Sequence, residues 1–340
     1  MPSNSLIISV ACFFLFSCAR LETLNLIDHK YGVSPKRIIW FQVPGLNEDH
    51  ISILRFNSSL ADKQSAFENF SCLGKMWGYN LYDLRPSAAS GLLAQMVGKE
   101  NITKSCNDFD HSPIWNYLAT LGYKTGILES GTLDSESLDY TLTCKDKASI
   151  FLDQAIFFRM APTKSLDKPL FHFQDREFFG QNKIYYDRTC QKGSCFASLE
   201  GNLESILSRF KIERGRYLFI VRDFTYLNAL KKRDIQKART TLSELEQVIT
   251  KFLEIQKSDS EMLLLITSSE SIGFDFPRAG TEWASFEKKG DNLGYKSSLL
   301  MSLVLAKGAG AENFCGIYKE SEILERILKS QMVKRQFPLL

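Results

Sequence analysis

Short apolar runs that alternate with amphipathic stretches constrain this chain more than any other feature. "RIIWFQV" (37–43), "KTGILES" (124–130), "RYLFIVRD" (216–223) and "EMLLLITSS" (261–269) have strand length and are apolar nearly throughout. Runs without a polar face need cover on both sides of a sheet, which helices supply in a parallel α/β arrangement. "SLLMSLVLAKG" (298–308) is a further strand candidate. From Asp234 to Lys257, apolar residues fall at 235, 238, 242, 245, 249 and 252, a spacing that lines one stripe of a helix. "SEILERILKSQM" (321–332) repeats it. In "HSPIWNYLATLGYKTG" (111–126), Ser112 is expected as N-cap, Pro113 as first helical residue and Gly122 as the stop. Ser87–Val97 reads as a short helix after Pro86. The expected class is therefore α/β, with a mostly parallel central sheet and helices on both faces. Residues 150–200 break the pattern as an irregular, aromatic-rich excursion, "FHFQDREFFGQNKIYYDRTC" at its centre. It is expected as a cap-like insertion whose aromatics line a cleft or pack a small core of their own.

The N-terminus carries a second signal. "LIISVACFFLFSC" (6–18) is uncharged and too short for a comfortable membrane span, so it reads as a secretory leader. Its end, Leu15–Cys18, resembles a bacterial lipoprotein cleavage box, in which Cys18 is lipidated and becomes the first mature residue. Residues 1–5 lack Lys and Arg, and Phe16 is bulky for that box. An ordinary leader or a buried N-terminal strand is the alternative. The expected division is a signal peptide over 1–17, a lipidated linker over 18–35 and a single α/β domain over 36–335. The expected location is the periplasm or cell surface, with the membrane as partner through the lipid anchor and a protein or glycan partner unspecified. A net charge of +3 and the lack of a basic stripe with interleaved aromatics argue against nucleic acid. "KKR" (231–233) is read as a solvated helix approach.

Setting aside Cys12 and Cys18, six cysteines remain: 72, 106, 144, 190, 195 and 315. An even number in an exported chain permits disulfides. Cys190 and Cys195, in "CQKGSC", are the best pair. The scattered spacings contain no C-x-x-C and do not suit a metal. Cys315 lies in "GAGAENFCG" (308–316), read as a tight connection with a disulfide rather than a nucleotide loop. Asn57, Asn69 and Asn101 head Asn-x-Ser/Thr sequons, which matter only in a eukaryotic secretory route.

"VPG" (43–45), "RPSAASGLLAQMVGK" (85–99), "LGYKTG" (121–126), "RDFTYL" (222–227) and "TSSESIG" (267–273) occur in an order that resembles the alkaline phosphatase and sulfatase superfamily. The resemblance spans roughly 36–330 and lies in element order and short motifs. It implies a nucleophile at a helix start and two metal ions, usually zinc, that clamp a phosphoryl group and sharpen that nucleophile. The ligands are then carboxylates and imidazoles.

Several positions depart from that pattern. The first-strand Asp is Pro44, the His of Asp-x-x-x-His is Leu227, and the later Asp-His pair falls on Ser269 and Glu270. All four histidines (29, 50, 111 and 172) lie in the first 172 residues, whereas the superfamily draws most of its imidazoles from the C-terminal half. What survives is Ser87 in the nucleophile slot, with Ser90 as alternative, and Asp223 and Glu270 as candidate metal carboxylates. A serine after proline is also an ordinary helix cap. Glu48, Asp49 and His50 either rebuild a single metal site with Asp223 or begin a solvated helix. No G-x-S-x-G elbow is present. Two functions follow: a non-catalytic binding or scaffold module of the cell envelope, or a phosphate- or sulfate-ester hydrolase with a rebuilt minimal site. Zinc or another divalent metal belongs only to the second.

Overall fold

The computed structural model describes residues 33–57, 64–79, 83–100, 112–131, 136–138, 154–161, 171–181, 183–191, 194–210, 215–289 and 292–336. The leader, Cys18, Asn101, Cys106 and Cys144 lie outside them. In chain order the elements are β1 (Arg37–Gln42), α1 (Glu48–Asn57), β2 (Cys72–Trp77), α2 (Ala88–Val97), α3 (Ile114–Ala119), β3 (Tyr123–Ser130), β4 (Ala155–Met160), β5 (Phe171–His172), β6 (Ile184–Tyr186), β7 (Cys190–Gln191), β8 (Ser194–Cys195), α4 (Leu199–Phe210), β9 (Arg216–Asp223), α5 (Thr225–Lys231), α6 (Ile235–Ser258), β10 (Met262–Thr267), β11 (Ile272–Asp275), α7 (Gly280–Lys289), β12 (Gly294–Ser298), β13 (Met301–Gly308), β14 (Gly316–Lys319) and α8 (Glu322–Gln336).

Ten strands form one sheet in the order β14-β2-β13-β10-β1-β9-β3-β4-β6-β5. The run from β10 to β5 is parallel, and β13 is antiparallel to both of its neighbours. The apolar strands sit at its centre for the reason their composition predicts. Ile38 and Trp40 of β1 pack with α2, α3 and α8 on one face, and Ile39 and Phe41 pack with α4, α5 and α6 on the other. Every residue of β10 is buried. The α/β class with a mostly parallel sheet is what the sequence predicts.

Three details differ from expectation. Among the described residues, β4, β5 and β6 extend the sheet edge instead of capping it. Their aromatics explain why: Phe158 packs against Phe173, Phe179 and Tyr185 with ring centroids 4.8–6.2 Å apart, continuous with the main core. The N-cap of α3 is Pro113 rather than Ser112, because Pro113 is extended (φ −71°, ψ 162°) and the helix starts one residue later. The strand β2, "CLGKMW", alternates buried and partly exposed residues and lies outside the predicted strands. Gly74 within it is required, since a Cβ there would strike the carbonyl oxygen of Phe314.

Two disulfides lie among the described residues. Cys190–Cys195 closes the β7–β8 hairpin as expected. Cys72–Cys315 ties β2 to the turn before β14, across 243 residues of sequence. Among the described residues no helix is long and apolar enough to cross a membrane.

Candidate functional site

In register, Gln42 of β1 lies beside Thr267 of β10 and Arg222 of β9, and Ser130 of β3 lies beside Asp223 of β9. The carboxyl ends of the central parallel strands are therefore level, which is where open α/β sheets bind ligands. Helix α2 is bolted above this edge by buried polar contacts. Gln42 Nε2 donates to the Leu92 carbonyl at 3.3 Å, Thr267 Oγ1 donates to Gln95 Oε1 at 2.7 Å, and Gln95 Nε2 donates to the Ser268 carbonyl at 2.9 Å. Each would be costly to leave unpaired at that depth, so together they fix the position of the helix.

Ser87 is the N-cap of α2. Its Oγ accepts from the Ser90 amide at 3.4 Å and lies 3.1 Å from Ser90 Oγ. The Ala88 amide donates to Glu270 Oε2 at 2.8 Å. Glu270 in turn pairs with Lys231, at 2.9 Å from Oε1 and 3.0 Å from Oε2. It holds this position at φ +49°, in the left-handed region that a side chain of its size rarely adopts. The positive end of α2 thus faces a carboxylate from the chain itself, neutralised on its far side by an ammonium.

Asp223 belongs to another set. It is buried at the end of β9, accepts from the Thr225 amide at 3.0 Å, and is bound by the hydroxyls of Thr225 and Ser130. Burial, the largest influence, pushes its carboxyl above the ordinary value against these donors. Ser87 and Glu270 therefore meet at the start of α2, while Asp223 is held separately.

A hydrocarbon cluster adjoins both sets, since Ala88 follows Ser87 and Phe224 follows Asp223. Ala88, Leu92, Phe224 and Leu227 form a buried cluster with Ile272 against it. Gly45, at φ +86°, supports Leu227 so closely that a Cβ would sit 3.1 Å from Leu227 Cδ1. Pro44 is buried beside it. Where the superfamily pattern has a histidine, Leu227 is buried in this cluster and packed on Gly45.

The donor set does not fit a divalent ion at this edge. Among the described residues, the one group of three or more His, Cys, Asp or Glu donors lying within 4.8 Å of one another is Asp187, Cys190 and Cys195, and its two cysteines are joined in a disulfide. Among the described residues, His50 does not join Asp223 in such a donor group. It is wholly buried, its ring centroid is 4.2 Å from that of Phe274, and its Nδ1 accepts from the Asn47 amide at 3.3 Å. Desolvation pushes its pKa down to about 3, so it is neutral. Glu48 does begin a helix, and is turned to Lys75.

Two participants escaped the sequence. Lys231 lies 39 residues from Glu270, and nothing local marks it as a partner. Glu320, buried at the end of β14, bonds Ser302 on the seam beside Ser269.

The alkaline phosphatase of the Antarctic bacterium TAB5 superposes on this chain with a TM-score of 0.64 at 16% identity, covering 88% of this chain and 98% of that one. The cold-active alkaline phosphatase of the psychrophile Shewanella sp. gives 0.68 at 11%, over 86% and 99%. That of Thermus thermophilus gives 0.67 at 12%, over 91% and 94%. The fold is that of the alkaline phosphatases. No protein-family model matches the sequence, and no curated protein matches it. At the strand ends of this fold lie a buried apolar cluster and an internal ion pair.

Proposed function

We propose that this chain is an exported, non-catalytic module of alkaline phosphatase fold that binds a protein or glycan at the cell envelope. The packing of Leu227 on Gly45, among Ala88, Leu92 and Phe224, carries the reading. A two-metal phosphoryl clamp needs carboxylates and imidazoles around open space. Here that space is hydrocarbon, and Glu270 already satisfies the amide at the start of α2. The disulfides support an oxidising location, since such bonds persist outside the cytosol. With the apolar leader, they suit a mature chain beginning at a lipidated Cys18 and facing the periplasm or cell surface.

The second reading is an ester hydrolase at Ser87. It is favoured by one observation: Ser87 caps a helix whose first turn is tied through Glu270 to an ammonium, Lys231. Bound metal per chain after incubation with zinc, manganese, calcium or magnesium decides between them, together with turnover of nitrophenyl phosphate and sulfate. The non-catalytic reading expects near-zero metal and turnover equal to buffer. Turnover abolished by Ser87→Ala overturns it and establishes the hydrolase.

A further inference from the structure

Glu320 is a buried carboxyl in a seam of hydroxyls. It follows β14, and its amide donates to the Trp77 carbonyl at 3.1 Å. Ser302 Oγ of β13 donates to its Oε1 at 3.2 Å, and Ser269 of the β10–β11 loop supplies a second hydroxyl contact. Helix α2 presses on the same group through Gly91, where a Cβ would collide with Ser269 Oγ and Glu320 Oε2. A cleft of about 10 Å³, room for one water, lies beside it between Trp77, Tyr79, Pro86 and Ser90.

The charges on the surrounding elements are engaged elsewhere. At the mouth, Lys319 of β14 pairs with Glu100 beyond α2 at 3.0 Å. On α8, Glu322 accepts from the Lys319 amide at 3.1 Å and from Arg326 at 2.8 Å. In the β10–β11 loop, Glu270 is held by Lys231. Lys75 of β2 pairs with Glu48, and Lys307 of β13 donates to the Asn69 carbonyl at 2.8 Å. A carboxylate buried without a cation is disfavoured. Desolvation, partly offset by the two serines, accordingly raises the pKa of Glu320 to about 8.

We propose that Glu320 is a protonation latch: its neutral carboxyl seats the first turns of α2 and the β10–β11 loop on the sheet, and its ionisation loosens that seam. The geometry makes the coupling direct. Gly91 lies one turn into α2, and Ser269 precedes Glu270, whose carboxylate holds the Ala88 amide. The inference goes beyond the proposed binding role and holds whether or not the cleft turns over a substrate.

The latch predicts two separate pH windows. In the folded chain, ionisation centres near pH 8, and Trp77 beside the seam reports it. Intrinsic fluorescence scanned from pH 6 to 10 should show a transition near pH 8. Glu320→Gln should abolish it, and Trp77→Phe should remove its amplitude. Stability changes in a different window. The folded state keeps a proton that an unfolded glutamate releases from its ordinary value of 4.5, so stability falls as pH rises from 4.5 to about 8 and levels off above that. One proton makes the unfolding constant rise about tenfold per pH unit there, a slope that Glu320→Gln removes. A fluorescence transition unchanged in Glu320→Gln, or no transition in the folded wild type, overturns the proposal. If Glu320→Gln does not fold, infrared spectra of the wild type labelled with ¹³C-glutamate decide. A protonated carboxyl band present at pH 6 and lost around pH 8 supports the latch. A band absent at pH 6, or persisting to pH 10, overturns it.

Discussion

The two residue sets at the strand ends are satisfied in opposite ways. At Gly45 the side chains are hydrocarbon: Pro44 and Leu227 exclude water and need no partner. At the start of α2 the groups remain polar, but each is matched within the chain, Ser87 to Ser90, the Ala88 amide to Glu270, and Glu270 to Lys231. The first side gains stability from burial and offers no coordinating side chain. The second gains little, because Lys231 is 43% exposed and water screens its pair with Glu270. The hydrocarbon set is thus expected to be a stability element, and the ion-paired set to be nearly neutral in stability.

Truncating the plug is the strongest way to break that contrast. Leu227→Ala should destabilise by about 2–5 kcal/mol, since Gly45, Leu92 and Phe224 cannot all close on the void. Urea unfolding measures it. A loss below about 1 kcal/mol would mean the plug is loosely packed and the comparison fails.

His50 sharpens the same side through pH. Its folded pKa of about 3 lies below the ordinary 6.5, so the unfolded chain binds the extra proton between these values. Its contribution is complete above pH 6.5 and is lost as pH falls toward 3, at about 1.4 kcal/mol per pH unit. From pH 6.5 to 4.5 Glu320 acts with the opposite sign, so the wild-type profile should be flatter there than below 4.5. In denaturant titrations at pH 3, 4.5 and 6.5, replacing His50 with Leu should reduce the loss of stability from pH 4.5 to 3 and leave the opposite contribution of Glu320 uncompensated from 6.5 to 4.5.

The legible parts of the molecule are those governed by local pattern. β1, β3, β9 and β10 are continuous apolar runs, and α6 carries its stripe at helical spacing, so each was readable from neighbours in sequence. The Cys190–Cys195 hairpin was readable for the same reason. β2 was not, because Gly74 and Lys75 interrupt its apolar character and its pairing with β13 and β14 comes from more than 200 residues away. Of the site, Ser87 and Glu270 were visible as positions, but not their junction at Ala88. The absence of an imidazole at 227 was legible, whereas the packing of Leu227 on Gly45 depends on tertiary proximity. Lys231 sat in a run that reads as a solvated approach to a helix, and it closes α5 instead.

On the polar side, Ser87→Ala removes the hydroxyl that accepts from the Ser90 amide. The expected loss is about 1 kcal/mol, typical of an N-cap serine. Thermal unfolding of purified protein measures it. A loss above about 2 kcal/mol would place Ser87 in a tighter network than its 3.4 Å bond implies.

The smallest effect is the most discriminating. In a double-mutant cycle of Glu270→Ala and Lys231→Ala, the coupling should be about 0.2–1 kcal/mol, as for partly exposed ion pairs, and should shrink with added salt. Glu270→Ala alone should cost more than Lys231→Ala, because it also strips the Ala88 amide of its acceptor at the positive end of α2. If the coupling instead exceeds about 2 kcal/mol and resists salt, the pair is as structural as the plug, and the two sides of the cleft were closed by the same means.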